Sequence, residues 1–90
     1  MLRAAIRAET GEMTRETIMM RIERTESLRD ETRNLAEKCP EPGIGNLMER
    51  AQEHLRLARD HAENARLEPA AAEIAIARNM YQRIGELCAR

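Results

Sequence analysis

The sequence predicts an all-α fold: an up-down-up three-helix bundle completed by self-association. Three observations lead there. Arg, Glu and Ala are the commonest residues of the 90-residue chain, Val, Phe and Trp are absent, and Tyr81 is the only aromatic. These are good helix formers, with few of the residues that strands favour. Two breaks rich in Pro and Gly then divide the chain into three segments of helical length. Within each segment apolar residues recur every three or four positions, the spacing of one helix face.

The first break is Cys39-Pro40-Glu41-Pro42-Gly43-Ile44-Gly45-Asn46, and two prolines with two glycines stop a helix firmly. The second is Leu67-Glu68-Pro69, where proline suits the first position of a new helix. A softer break at Thr10-Gly11 sets off residues 1–11 as an N-terminal arm or short helix. Residues 12–90 then form a single helical-bundle domain.

The first helix is expected over about residues 14–38, with the seam Thr14, Ile18, Ile22, Thr25, Leu28, Thr32, Leu35 and Cys39. Thr25 and Thr32 stand where large apolar groups normally pack, so the stripe is thin. The second is expected over about residues 47–66, with the seam Met48, Ala51, Leu55, Ala58, Ala62 and Ala65. Asn46 and Glu49 match an Asn-x-x-Glu cap for its start. The third is expected over about residues 69–88, with the seam Ala70, Ile74, Ala77, Tyr81, Ile84 and Cys88. The short turn between the last two makes them antiparallel neighbours, and alanines near it allow close approach.

Charged residues make up 34% of the chain, yet the formal net charge is only −1. The signs are finely mixed, so neither half is a basic or acidic tail. An electrostatic nucleic-acid binder normally shows a basic excess, and a base-stacking surface needs several aromatics. Nucleic acid is therefore disfavoured as a partner. No apolar run reaches the length of a membrane span, and Met1-Leu2-Arg3-Ala4-Ala5-Ile6-Arg7 lacks the apolar core of a secretory signal, which points to a cytoplasmic protein without a membrane partner. Catalytic templates are missing: Ser27 is the only serine, there is no Gly-rich phosphate loop, and no cofactor is implied.

A core without Phe or Trp is marginal in so short a chain. Leu57 and Ile76 also fall outside the seams, and two apolar residues on one outer face suggest a second buried surface. The expected function is thus protein–protein interaction, as a homo-oligomer or with a protein partner. Its interface would draw on Ile18, Ile22, Thr25, Leu28 and Thr32 of the first helix together with Leu57 and Ile76.

Cys39 and Cys88 end the first and third helices and fall at one end of an up-down-up bundle. In a reducing cytoplasm they are expected as free thiols plugging the core. The alternative is a disulfide or a thiol-based redox or metal sensor. Two cysteines fall short of the four ligands of a structural zinc site. His54 and His61 lie seven residues apart, too far along a helix for one metal, so they read as structural or surface groups. The methionines read as gap-fillers for a core without large aromatics.

The stretch Arg50-Ala51, Leu55, Ala58, Glu63-Asn64, Ala70 and Ala77 resembles the helical hairpin of the HEPN families, small bundles that include RNases paired with nucleotidyltransferases. Arg56-Leu57-Ala58-Arg59-Asp60-His61 fits their Arg-x4-His spacing, although Ala75 and Ile76 stand where those families carry paired tyrosines. The resemblance covers under half the chain. It implies an RNase or toxin/antitoxin-type bundle with Arg56 and His61 as the catalytic pair. The three-helix plan with Leu67-Glu68-Pro69 is also similar to small helical chorismate mutases, which implies a basic pocket with Gln82 on the last helix.

Overall fold

The computed structural model describes residues 13–89. The arm expected over residues 1–11 lies outside the described residues. Three helices follow in order: α1 (Arg15–Glu37), α2 (Ile44–Glu63) and α3 (Leu67–Cys88). All three pairs of helices pack together as a bundle, α2 with α3 most extensively and α1 with α2 least. There is no strand among the described residues.

α1 opens on a reciprocal cap. The Thr17 amide donates to Thr14 Oγ1 at 3.1 Å, and the Thr14 amide donates to Thr17 Oγ1 at 3.0 Å. The two hydroxyls also contact each other. Thr17 does the work usually done by Glu or Gln at that position, so two orphan amides of the first turn are satisfied.

α2 starts three residues earlier than its apolar period suggests. Gly43 precedes it with φ 84° and ψ −4°. That is the conformation of the third residue of a type II turn, with Pro42 at the position where proline is favoured. Asn46 and Glu49 therefore lie inside the helix and do not cap it. The cap is backbone alone: the Leu47 amide donates to the Gly43 carbonyl at 3.1 Å.

α2 also ends three residues earlier than expected. Ala65 turns left-handed, with φ 58°. The Arg66 amide donates to the His61 carbonyl at 2.8 Å and the Ala65 amide to the Ala62 carbonyl at 3.1 Å, which together form a Schellman motif. Asn64 Nδ2 adds a bond to the Asp60 carbonyl at 2.8 Å. Ala65 is thus exposed in the turn and not part of the seam. α3 begins at Leu67, so Pro69 is its third residue and not its first. No helical bond is lost, because the first amides of a helix have no partner within it, and the first bond runs from Ala70 to Arg66 at 3.1 Å.

The core is one cluster. It comprises Ile18 and Ile22 of α1, Ile44, Met48, Ala51, Leu55, Ala58 and Ala62 of α2, and Ala70, Ile74, Ala77, Tyr81 and Ile84 of α3. Alanines fill the α2/α3 contact next to the turn, and Tyr81 heads the largest fully buried side chains. Thr25 and Thr32 are buried too, and Thr25 Oγ1 donates to the Arg21 carbonyl one turn back at 2.8 Å. Methionine is not uniformly a gap-filler: Met48 is buried, but Met13 and Met20 are exposed.

Cys39 and Cys88 form a disulfide, with their Cα atoms 5.3 Å apart. This corrects the expectation of two free thiols. The chain stops at the ends of α1 and α3 bring the cysteines close enough to bond, and both remain half-buried at the rim of the core.

Three outcomes follow for stability. A left-handed alanine costs about 1 kcal/mol or more relative to glycine. Ala65→Gly should therefore raise unfolding free energy in urea by about 0.5–1 kcal/mol, and Gly43→Ala should lower it by a similar amount. The disulfide spans a separation of 49 residues. Such a loop restricts the unfolded chain by about 4 kcal/mol, so the double variant Cys39→Ser/Cys88→Ser should lose about 3–4 kcal/mol in the same assay.

Candidate interaction surfaces

The apolar face of α1 is used inside the chain. Ile18 and Ile22 have no exposed surface, Thr25 and Thr32 are buried, and Leu28 is half-buried against the cluster. Ile18, Ile22, Thr25 and Thr32 are therefore covered within the chain, while Leu28 keeps one flank on the α1/α3 groove. Leu35, also expected in the seam, points outward and is 44% exposed. Thr14 is the cap of α1 and is exposed.

Leu57 and Ile76 are the remainder. Leu57 is half-buried, and Ile76 is 41% exposed, which makes it one of four exposed large apolar side chains among the described residues. Each lies two positions beyond a core residue, Leu55 and Ile74, and so points away from the core. Between α2 and α3 runs a hydrogen-bond contact: His54 Nδ1 lies 3.1 Å from Glu73 Oε1 and 3.2 Å from Glu73 Oε2. Met80, on the same flank of α3, is half-buried against the core.

Grooves flank α1 on both sides along its middle. The one between α1 and α2 has a volume of about 450 Å³ and is bordered by Glu26, Glu49 and Glu53 as well as Arg29, Arg56 and Arg59. Its arginines are neutralised in place. Arg59 reaches Glu26 across the two helices at 2.6 Å, and Arg56 reaches Glu53 at 2.5 Å and Asp60 at 2.8 Å. Arg29 meets Asp30 at 3.0 Å. The hydrogen bond from Arg56 holds the Glu53 carboxyl below its ordinary value, and Glu53 in turn raises Arg56.

The groove between α1 and α3 has the same volume, about 450 Å³, and a different character. Thr25, Leu28, Ala71, Ile74 and Ala75 form its floor, and Arg21, Arg24 and Arg78 its borders. No carboxylate lines it. None of the three arginines makes an ion pair among the described residues. A reading of each helix alone misses this groove, because it is defined by the flanks of two helices that are distant in sequence.

The remaining candidates are placed as follows. Arg56 is exposed and tied to two carboxylates, and His61 is half-buried five residues on, more than a quarter-turn away around α2. Gln82 is exposed. Among the described residues no group of three or more His, Cys, Asp or Glu is arranged to hold a metal ion. No described helix is long and apolar enough to cross a membrane. No protein-family model, curated protein or solved structure matches the chain.

Tyr81 is buried, and its hydroxyl has no hydrogen-bond partner among the described residues. Burial pushes its phenol above the ordinary value, against a smaller opposing pull from Arg29 and Arg33. The native chain therefore keeps the proton at a pH where the unfolded chain, ionising near ~10, has lost it. Stability contributed by the neutral phenol is complete below that pH and falls as pH rises through it. Phenolate absorbance, with one tyrosine as its only source, should appear together with loss of helicity and not before it. Tyr81→Phe should remove this alkaline step and change neutral-pH stability by no more than about 1 kcal/mol, since no intramolecular bond is lost.

Proposed function

We propose that this chain is a small helical interaction module that associates with a second copy of itself through the outer face of α2 and α3. Its helices run up, down and up. The three-residue turn after α2, the His54–Glu73 contact and the meeting of the α1 and α3 ends at the disulfide support that order. The observation that carries the interaction reading is the outward, 41% exposed Ile76 on the same face as Leu57, where only four large apolar side chains among the described residues are exposed.

The geometry suits a two-fold contact. Leu57 lies one turn beyond His54 and Ile76 one turn beyond Glu73. With the helices antiparallel, the two apolar groups stand about 9 Å apart along the axis, on either side of the His54–Glu73 contact. A two-fold axis across that pair sets each Leu57 against the Ile76 of the other copy, as an isologous interface requires. Contacts through α1 are not needed, because its seam is already covered.

Mass by light scattering over a dilution series tests this. The wild-type chain should be a dimer that dissociates on dilution, and Leu57→Glu/Ile76→Glu should be a monomer with unchanged helicity. A wild-type monomer at every concentration, or a double variant of unchanged mass, overturns it.

The disulfide supports a second reading, a thiol-responsive clip. A bond between Cys39 and Cys88 suits a compartment that is not fully reducing, and its reduction frees the ends of α1 and α3.

A further inference from the structure

We infer that the groove between α1 and α3 is a docking site for an acidic, amphipathic helix of a partner protein. This surface is distinct from the α2/α3 face and does not depend on self-association. The chain as a whole has a net charge of −1, yet this groove is bordered by Arg21, Arg24 and Arg78 with no carboxylate in its lining. The groove on the other side of α1 carries three arginines as well, and every one of them is ion-paired. An unbalanced set of cations beside a balanced one is charge complementarity waiting for an external anion.

The shape selects the kind of anion. The lining residues run from 21 to 28 on α1 and from 71 to 78 on α3. At ~1.5 Å per residue that is a trough about 10 Å long, two turns of a helix. Its floor includes Leu28 of α1 and Ala71 and Ala75, which are spaced by one turn on α3. Small side chains there let a third helix approach closely, and Leu28 gives its apolar stripe a contact. The borders on both helices carry arginine, which can pair bidentately with carboxylates on the two flanks of that stripe. A free phosphate would satisfy the guanidinium groups and leave the apolar floor uncovered. A nucleic-acid strand would find no aromatic surface, since Tyr81, the only aromatic, is buried in the core.

The test uses the full-length oxidised chain and a labelled synthetic peptide of about four helical turns, with Leu and Ala at helical i, i+3, i+4 and i+7 spacing and Glu on both flanks. Binding is read by fluorescence anisotropy. Two control peptides carry the same composition with the apolar spacing scrambled, or Lys in place of Glu. The expected result is saturable binding of the amphipathic acidic peptide, at least about tenfold tighter than either control and weakening several-fold between about 50 and 300 mM salt. Arg24→Glu/Arg78→Glu should weaken it by at least about tenfold. Ala75→Trp, which fills the trough without changing charge, should do the same. Leu57→Glu/Ile76→Glu should leave it unchanged, so failure of the self-association reading is separable from failure here. The inference is overturned if the scrambled peptide binds equally well, if both groove variants bind like wild type, or if millimolar inorganic phosphate or a single-stranded RNA displaces the peptide completely.

Discussion

The attachment of α1 to the other two helices is the constraint on which the rest of the molecule depends. α2 and α3 meet through Ala51, Ala58, Ala62, Ala70 and Ala77, all fully buried, and small residues on both sides allow close helix contact. α1 brings much less: two isoleucines and two threonines make up its buried set. Burying an isoleucine is worth about 1.5–3 kcal/mol, and a threonine less, because its hydroxyl must be satisfied. Thr25 meets that need within its own helix, through the Arg21 carbonyl. Two further links then hold α1 in place. The Arg59–Glu26 ion pair ties it to α2 midway, and the Cys39–Cys88 disulfide ties its end to α3.

The character of both flanks of α1 follows from that arrangement. Threonine is smaller than the leucine or isoleucine that would otherwise fill such a position, and troughs remain on each side of α1. On the α2 side the trough is closed electrostatically, because Glu26, Glu49 and Glu53 intersperse Arg29, Arg56 and Arg59. On the α3 side the neighbours are Ala71 and Ala75, which have no charge to offer Arg21 and Arg24, and the one α3 charge lining the groove is another arginine, Arg78. The mixed charge of the whole sequence conceals this local imbalance, which arises only when flanks of separate helices are brought together.

Sequence periodicity located the interior well where seams were clean. Every expected core position of α3 from Ala70 to Ile84 is buried, as are Met48 to Ala62 in α2. Helix ends were less legible, for two different reasons. Pro42-Gly43 is a readable type II turn, and it could have placed the start of α2 at Ile44. The left-handed Ala65 has no such signal, because alanine is a strong helix former and its conformation is imposed by the Schellman bonds around it. The closeness of Cys39 and Cys88 was legible from where the helices stop. Their oxidation state was not, since it depends on the environment as well as on distance. The α1/α3 groove was invisible for the geometric reason already given: Arg21 and Arg78 are unrelated along the chain.

The clip and the groove lie at different ends of the α1/α3 contact. Arg78 precedes Cys88 by ten residues, about 15 Å along α3, and Leu28 precedes Cys39 by a similar distance. The disulfide therefore does not shape the groove directly. What it does is keep the weaker half of α1, beyond Thr32, against α3 where the buried isoleucines no longer help. The half that borders the groove is anchored by Ile18 and Ile22, which precede or flank Arg21 and Arg24 in sequence. The disulfide at one end and the proposed docking groove at the other are thus linked only through the docking of α1 as a single helix.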